Sequence, residues 1–274
     1  MEKILLAIDA ADPGKNALDF ACYLARLTKS KLTGVFLDNL VSAQTPAQLA
    51  TSAGADDDEM DTGTATPILF KKNIELFRQA CTNRELNYTI HQDHGVPAEE
   101  MITESRYADI LVTDAATSFR KHIEGPPSAF VQEVLSKAEC PVIIAPESFE
   151  EVTEIVFAYN GSASALFAIK QFTYLFPQLS NKKITVVQVT ETGNWEDRQK
   201  HKLTEWLKAH YSDIHFEGLK GNSNNALFDY LLKTKNMFLV IGAYGRNELS
   251  RFFKPSTADL VIKTITQPIF IAHH

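Results

Sequence analysis

Residues 3–9 read KILLAID and residues 154–160 read EIVFAYN: a short apolar run closed by a polar side chain, written twice about half a chain apart. The echo returns near the end of each half, as CPVIIAP from Cys140 and QPIFIAH from Gln267. Each is preceded by a further apolar run, DILVTD from Asp109 and FLVIGA from Phe238. Self-similarity in a fixed order constrains a chain strongly, because each copy must build the same supersecondary units. The sequence reads as a diverged tandem duplication with halves at 1–148 and 149–274. The join falls in the acidic, apolar-poor stretch ESFEEVT, Glu147–Thr153. This reading carries two expectations: matching topology on both sides of the midpoint, and not a lone continuous β-layer.

Each half alternates short β-rich runs with longer helical periods. The runs are Lys3–Asp9, Lys31–Leu37, Leu86–His91, Asp109–Thr113 and Pro141–Ala145, then Thr153–Tyr159, Lys183–Val189, Ile214–Glu217, Phe238–Ile241 and Pro268–Ala272. Between them, Ala17, Leu18, Ala21, Leu24, Ala25 and Thr28 recur at helical spacing, as do Ile68, Leu69, Lys72, Leu76 and Ala80 less cleanly. Pro97 suits a first helical turn, with Glu99 and Glu100 near the positive helix end. Leu166, Ile169, Lys170, Thr173 and Phe176 mark a further helix that Pro177 ends. Alternating strands and helices imply a parallel sheet covered on both faces, and near-continuous apolar strands such as ILLAI and VIIA fit two-sided burial. The expected fold is α/β: two doubly wound five-stranded parallel-sheet domains of flavodoxin-like order, with ligands beyond the strand carboxyl ends at the switch point. Ser42–Thr66, with its run Asp56-Asp57-Asp58-Glu59, reads as a solvent-facing insertion.

Composition narrows the function. The 274 residues are 45 % hydrophobic and 22 % charged, the mix of a globular protein, and the net charge of −7 lacks the basic footprint that broad nucleic-acid binding needs. No run approaches the apolar length of a membrane helix, and the short run Ile4–Ile8 does not resemble a signal-peptide core. Cys22, Cys81 and Cys140 are widely spaced without a C-x-x-C, so they read as small buried apolar residues of a reduced, cytoplasmic protein. His273-His274 is compatible with a tag remnant and is given no function.

Taken together, AID at Asp9, HGVPAEEMI from His94, YADILVTDA from Tyr107 and CPVIIAP resemble the universal stress protein domain. The second half is similar through EIVFAYNGS, VVQVTE from Val186, FLVIGAYGR, PST from Pro255 and QPIFIA. The resemblance implies a tandem universal stress protein, pseudo-two-fold related, each half adenine nucleotide alpha hydrolase-like. It implies a role in stress survival and, in one branch of the family, ATP binding. That branch carries an aspartate at the end of strand one. After strand four it carries Gly, two residues, Gly, nine residues, then Gly followed by Ser or Thr. Glycines let backbone N–H groups approach phosphate, and a helix N-terminus offers its dipole.

The halves keep different parts of this pattern. In the first, Asp9 matches the aspartate, but Asp114, Thr117 and Pro127 stand at the glycine positions, with Ser128 following. A carboxylate beside a triphosphate is adverse and proline has no N–H to donate, so this half is expected to be degenerate. In the second, Gly242 and Gly245 hold the spacing, Pro255 replaces the third glycine, and Ser256 and Thr257 follow. Arg246, Arg251 and Lys254 make the loop basic, whereas Asn160 replaces the aspartate, suiting ribose better than magnesium. Ala158 and Val189 match positions near adenine and phosphate. ATP with magnesium, or a related nucleotide, is the expected ligand of this half; the plainer alternative gives Gly242 and Gly245 only a tight turn.

His91, Asp93 and His94 invite a metal, but residues three apart on a strand point to opposite faces, so a strand end and turn is the simpler reading. Trp195 and Trp206, eleven apart, are expected on one helix face, in core packing or a pseudo-dimer contact. There is no G-x-x-x-x-G-K-[ST], G-x-G-x-x-G or G-x-S-x-G, and a regulator rather than an enzyme is expected. The alternatives are a protein-interaction module that binds no nucleotide and a slow ATP hydrolase. The last strands, Pro141–Ala145 and Pro268–Ala272, would be exposed apolar edges if each half stood alone. They are expected to pair antiparallel within the chain, with a homodimer possible beyond that.

Overall fold

The computed structural model describes residues 1–9, 14–38, 67–119, 124–149, 151–221, 223–242 and 261–272. The insertion at 42–66 and the terminal histidines lie outside the described residues.

The first half runs β1 (Lys3–Asp9), α1 (Lys15–Thr28), β2 (Lys31–Asp38), α2 (Pro67–Thr82), β3 (Tyr88–His94), α3 (Pro97–Ser105), β4 (Ile110–Thr113), α4 (Ala129–Lys137) and β5 (Val142–Ile144). The second runs β6 (Glu154–Ala158), α5 (Ala163–Leu175), a 3-10 turn Pro177–Leu179, β7 (Lys183–Thr190), α6 (Asp197–Lys208), β8 (Ile214–Lys220), α7 (Ser223–Lys233), β9 (Met237–Gly242) and β10 (Ile269–Ala272). A short helical stretch at 261–264 precedes β10. All ten runs read from the sequence are strands, with shifted ends. β3 starts late because Leu86 N–H is drawn back to Cys81 O at 3.0 Å, and it runs on because β2 pairs with it as far as His94.

The sheet order is β3-β2-β1-β4-β5-β10-β9-β6-β7-β8. Within each half every pairing is parallel, and the two halves share one order: first strand central, second and third to one side, fourth and fifth to the other. This departs from flavodoxin, whose third strand crosses to the other side. Here the switch point lies between the first and fourth strands, β1 and β4 or β6 and β9.

The halves meet where β5 and β10 pair antiparallel, Val142 opposite Ile271, Ile143 opposite Phe270 and Ile144 opposite Ile269. The expected edge pairing therefore forms. It also corrects the expectation against a continuous layer: paired edges fuse two five-stranded sheets into one of ten strands. Continuity is a consequence of hiding two apolar edges, and the repeated strand order within it is the mark of duplication. Because direction reverses at the seam, the carboxyl ends of the two half-sheets face opposite ends of the molecule.

Two cores cover the sheet. Ile4, Leu6 and Ile8 of β1, and Phe238 and Val240 of β9, pack under α1, α2, α5 and α6. Leu5 and Ala7, with Leu239 and Ile241, pack under α3, α4 and α7. Alternate residues of one strand thus enter opposite cores, as two-sided burial requires. The first core crosses the seam: Phe20 of α1 meets Phe238 at 6.0 Å, and Phe172 of α5 meets both Phe238 and Phe270, at 5.1 and 5.4 Å between ring centroids.

Two helix readings are corrected. On α2 the inward stripe is Ile74, Phe77 and Cys81, which share the helix face packed on the sheet, while Ile68 and Leu76 face solvent. Trp195 precedes α6, whose first residue is Asp197, so Trp195 and Trp206 do not share a helix. Trp195 lies parallel to Tyr159 at 5.9 Å and edge-on to Phe216 at 5.1 Å; Trp206 packs with Tyr174 and His210. Both tryptophans lean on the first core, so core packing accounts for them.

Candidate functional site: two crevices at opposite ends of the sheet

In doubly wound sheets, chain leaving adjacent strands toward opposite faces opens a crevice at the switch point. The first-half crevice is bounded by Asp9, the last residue of β1, and Asp114, the residue after β4. Asp114 turns its carboxylate on its own loop: Oδ1 accepts from Ala116 N–H at 2.8 Å, and its carbonyl accepts from Thr117 N–H at 3.2 Å. This is the strand-capping turn that Asp114 suits, with the side chain standing in for backbone. Thr117 O in turn accepts from the Ser128 hydroxyl, and Ser128 N–H donates to Ala115 O at 3.1 Å. The loop is laced shut by its own groups.

The N-terminus of α4 is filled as well. Ser128 is its N-cap and accepts from Val131 N–H at 3.2 Å. Glu124 places Oε2 2.7 Å from Ala129 N–H. A carboxylate on the first turn of a helix is where the dipole and unpaired N–H groups favour an anion. The chain thus supplies its own anion at the end of α4 nearest the first crevice. Sequence reading missed Glu124, because Ser128 is followed at the third position by Val131 rather than by the glutamate of a capping box.

The second-half crevice lies at the ends of β6 and β9. Ala158 closes β6 and pairs with Ile241 on one side and Val187 on the other. Val189 lies further along β7, buried with Ala158 in the second core. Asn160 follows β6; its Oδ1 accepts from Ser162 N–H at 2.9 Å, and Ser162 caps α5 by accepting from Ala165 N–H at 3.1 Å. Between them Gly161 has φ +79°, the left-handed region that glycine enters without strain. Gly242, the last residue of β9, has a structural task the sequence did not announce. A Cβ there would stand 2.2 Å from Ser164 O and 2.5 Å from Ala165 N, so only glycine lets β9 press against the first turn of α5. Gly245, Arg246, Ser256 and Thr257 lie outside the described residues, as do Arg251, Lys254 and Pro255.

The two crevices differ in charge. Where the first carries Asp9, Asp114 and nearby Glu124, the described part of the second carries Asn160 and Gly242. Among the described residues, the second offers no carboxylate from these positions to a magnesium ion. The Asn160 amide nitrogen is a donor suited to a ribose hydroxyl. Beside it, burial raises the Tyr159 phenol above its ordinary range, with the Glu196 charge adding to the effect.

The remaining candidates do not converge. His91 Nδ1 lies 3.0 Å from Glu104, which also pairs with Lys3 at 3.3 Å; the His94 side chain is outside the described residues. Among the described residues no group of three or more His, Cys, Asp or Glu is placed to hold a metal. No helix among them is long and apolar enough to cross a membrane.

A twice-built doubly wound sheet, joined through its last strands, defines a tandem α/β protein. Its relatives agree. A model of the universal stress protein family matches residues 1–146, more than half of the 274, and the chain belongs to that family. It is 21 % identical to a universal stress protein of Synechocystis sp., over 98 % of this chain and 99 % of that one. A universal stress protein from Archaeoglobus fulgidus shares the fold with a TM-score of 0.69 at 16 % identity, covering 99 % of this chain and 98 % of the other. A functionally unknown protein from Pseudomonas aeruginosa does so at 0.60 and 13 % identity, over 100 % and 92 %. Both coverages span the two halves, so the tandem architecture is shared as a whole.

Proposed function

We propose that this tandem universal stress protein is a non-catalytic, cytoplasmic regulator of stress survival that binds ATP or a related adenine nucleotide in its second half alone. The site would comprise Ala158, Asn160, Val189, Gly242, Gly245, Arg246, Ser256 and Thr257. The backbone at Ala158 and Val189 would lie near adenine and phosphate, Asn160 would bond a ribose hydroxyl, and the basic loop from Gly242 would follow the phosphates. The observation that carries this reading is the charge contrast. The first crevice presents Asp9 and Asp114 while Glu124 already satisfies the N-terminus of α4, whereas neutral Asn160 and Gly242 stand at the equivalent strand ends of the second. Asp9, Asp114, Thr117 and Ser128 would accordingly be a retired site. Magnesium would arrive on the nucleotide, since Asn160 is a poor ligand for it.

Calorimetric titration of the full chain with ATP, with and without magnesium, tests the proposal. One site per chain, weakened at least tenfold by Arg246→Glu and unchanged by Glu124→Gln, is expected; no heat at millimolar ATP overturns it. Gly242 is the wrong probe, because any side chain there strikes α5. A second reading, a protein-docking module without nucleotide, is favoured by Asn160 Oδ1 and Gly242 both being engaged within the chain. A slow hydrolase would need a general base, and none is assigned.

A further inference from the structure

Cys22 and Cys81 are 59 residues apart in sequence, yet the structure brings them together. Cys22 lies on α1 and Cys81 on the last turn of α2, both in the core between those helices and the sheet. Their thiols hydrogen-bond each other. The same two segments are tied a second time: Asp19, one turn before Cys22, holds Arg84, three residues after Cys81, at 2.6 Å. Arg84 also donates to Ala80 O at 3.1 Å, which fixes its side chain back along the end of α2. The third cysteine, Cys140, lies in the opposite core, on the other face of the sheet.

We propose that Cys22 and Cys81 are a reversible oxidation site whose disulfide staples α1 to α2 in the first half. The chemistry is balanced with a peroxide as oxidant. The thiolate of one of the two cysteines attacks a peroxide oxygen and the O–O bond breaks, giving a sulfenic acid and a hydroxide that takes up a proton. The sulfur of the other cysteine then attacks the sulfenic sulfur, the S–O bond breaks, and water leaves with the second thiol's proton. Two thiols and one hydrogen peroxide become one disulfide and two waters; a dithiol reductant reverses the change.

The hydrogen bond between the thiols perturbs both groups. Cys22 is held below its ordinary value, first because Cys81 bonds to it, and the nearby Arg84 charge acts in the same direction. Cys81 is pushed up, first by that same bond and then by burial. Either can react first, with the other as the resolving thiol. Burial makes reaction wait on local opening of α1 from α2, so slow oxidation is expected. Cys140 makes an internal control. Burial pushes its thiol up to about 12, and no second cysteine shares its core.

The test uses the full chain, oxidised with hydrogen peroxide in buffer and, in parallel, in dilute urea that promotes local opening. Free thiols are alkylated under denaturing conditions before non-reducing digestion and mass spectrometry. An intramolecular link between the Cys22 and Cys81 peptides, absent in Cys22→Ser and in Cys81→Ser and undone by dithiothreitol, is expected. The oxidised chain should melt on the order of 10 °C above the reduced chain, since the link closes a long loop. Both thiols recovered alkylated in both arms, links only to Cys140 or between chains, or a lower melting temperature on oxidation overturns the proposal. None of these outcomes depends on nucleotide binding.

Discussion

The strand ends of the two half-sheets began as one design and now behave differently. At the first, Asp114 folds its carboxylate into its own loop, Ser128 bonds Thr117, and Glu124 sits on the N-terminus of α4. At the second, neutral Asn160 caps a glycine turn, and β9 ends in a glycine pressed on α5. The same backbone frame therefore supports two electrostatic outcomes. A loop that donates its N–H groups to its own carboxylates has few left for a phosphate. Duplication allows such divergence, because two copies of one frame need not both keep the same residues.

Substitutions at matched positions can break this comparison. The largest effect is expected in the seam, which both halves share. Phe172 is fully buried against Phe157, Phe176, Phe238 and Phe270, so Phe172→Ala should cost about 3–5 kcal/mol in urea unfolding. A cost under about 1 kcal/mol would mean that the seam is not packed as described. Next comes the fourth-strand position itself. Gly242→Ala drives a Cβ into the backbone of α5 and should cost about 2–3 kcal/mol, whereas Asp114→Gly, at the matched place, should cost about 1 kcal/mol or less. Equal costs would erase the contrast. Smaller still, Ser128→Ala removes the N-cap of α4 for about 1 kcal/mol, by thermal unfolding.

The second half also carries a group that makes stability fall in alkali. Burial pushes the Tyr211 phenol up to about 12 from 10, although its bond with Thr173 pulls the other way. The folded chain then holds a proton that the unfolded chain releases, so this contribution is intact below pH 10 and is lost as pH rises through 12. Tyr211→Phe should flatten that fall in stability; an unchanged slope would place its cause elsewhere.

Much of the frame was legible. The paired strands KILLAID and EIVFAYN, and CPVIIAP with QPIFIAH, announce duplication because apolar runs buried on both faces tolerate little else. Their edge pairing followed from the cost of exposing them. Strand order was less legible, since periodicity says where strands are and not which side of the first one the third will take. The stripe on α2 was misread because Ile68 and Leu76 fit a helical period as well as Ile74 and Phe77 do, and only packing against the sheet chooses between them. At the candidate site, the change from Asp9 to Asn160 could be read directly. The role of Glu124 could not, because a side chain reaching a helix end from outside it leaves no fixed spacing. Nor could the meeting of Cys22 and Cys81, which depends on how α1 and α2 lie side by side.

The central claim is that only the second crevice can receive a nucleotide. It is tested most directly by the stoichiometry of ATP binding to the full chain, measured by calorimetry on wild type, Arg246→Glu and Asp114→Asn. The account predicts one nucleotide per wild-type chain, binding weakened at least tenfold by the charge reversal at Arg246, and unaltered binding when Asp114 is changed. Two nucleotides per chain, or a single site that responds to Asp114 and not to Arg246, would contradict it.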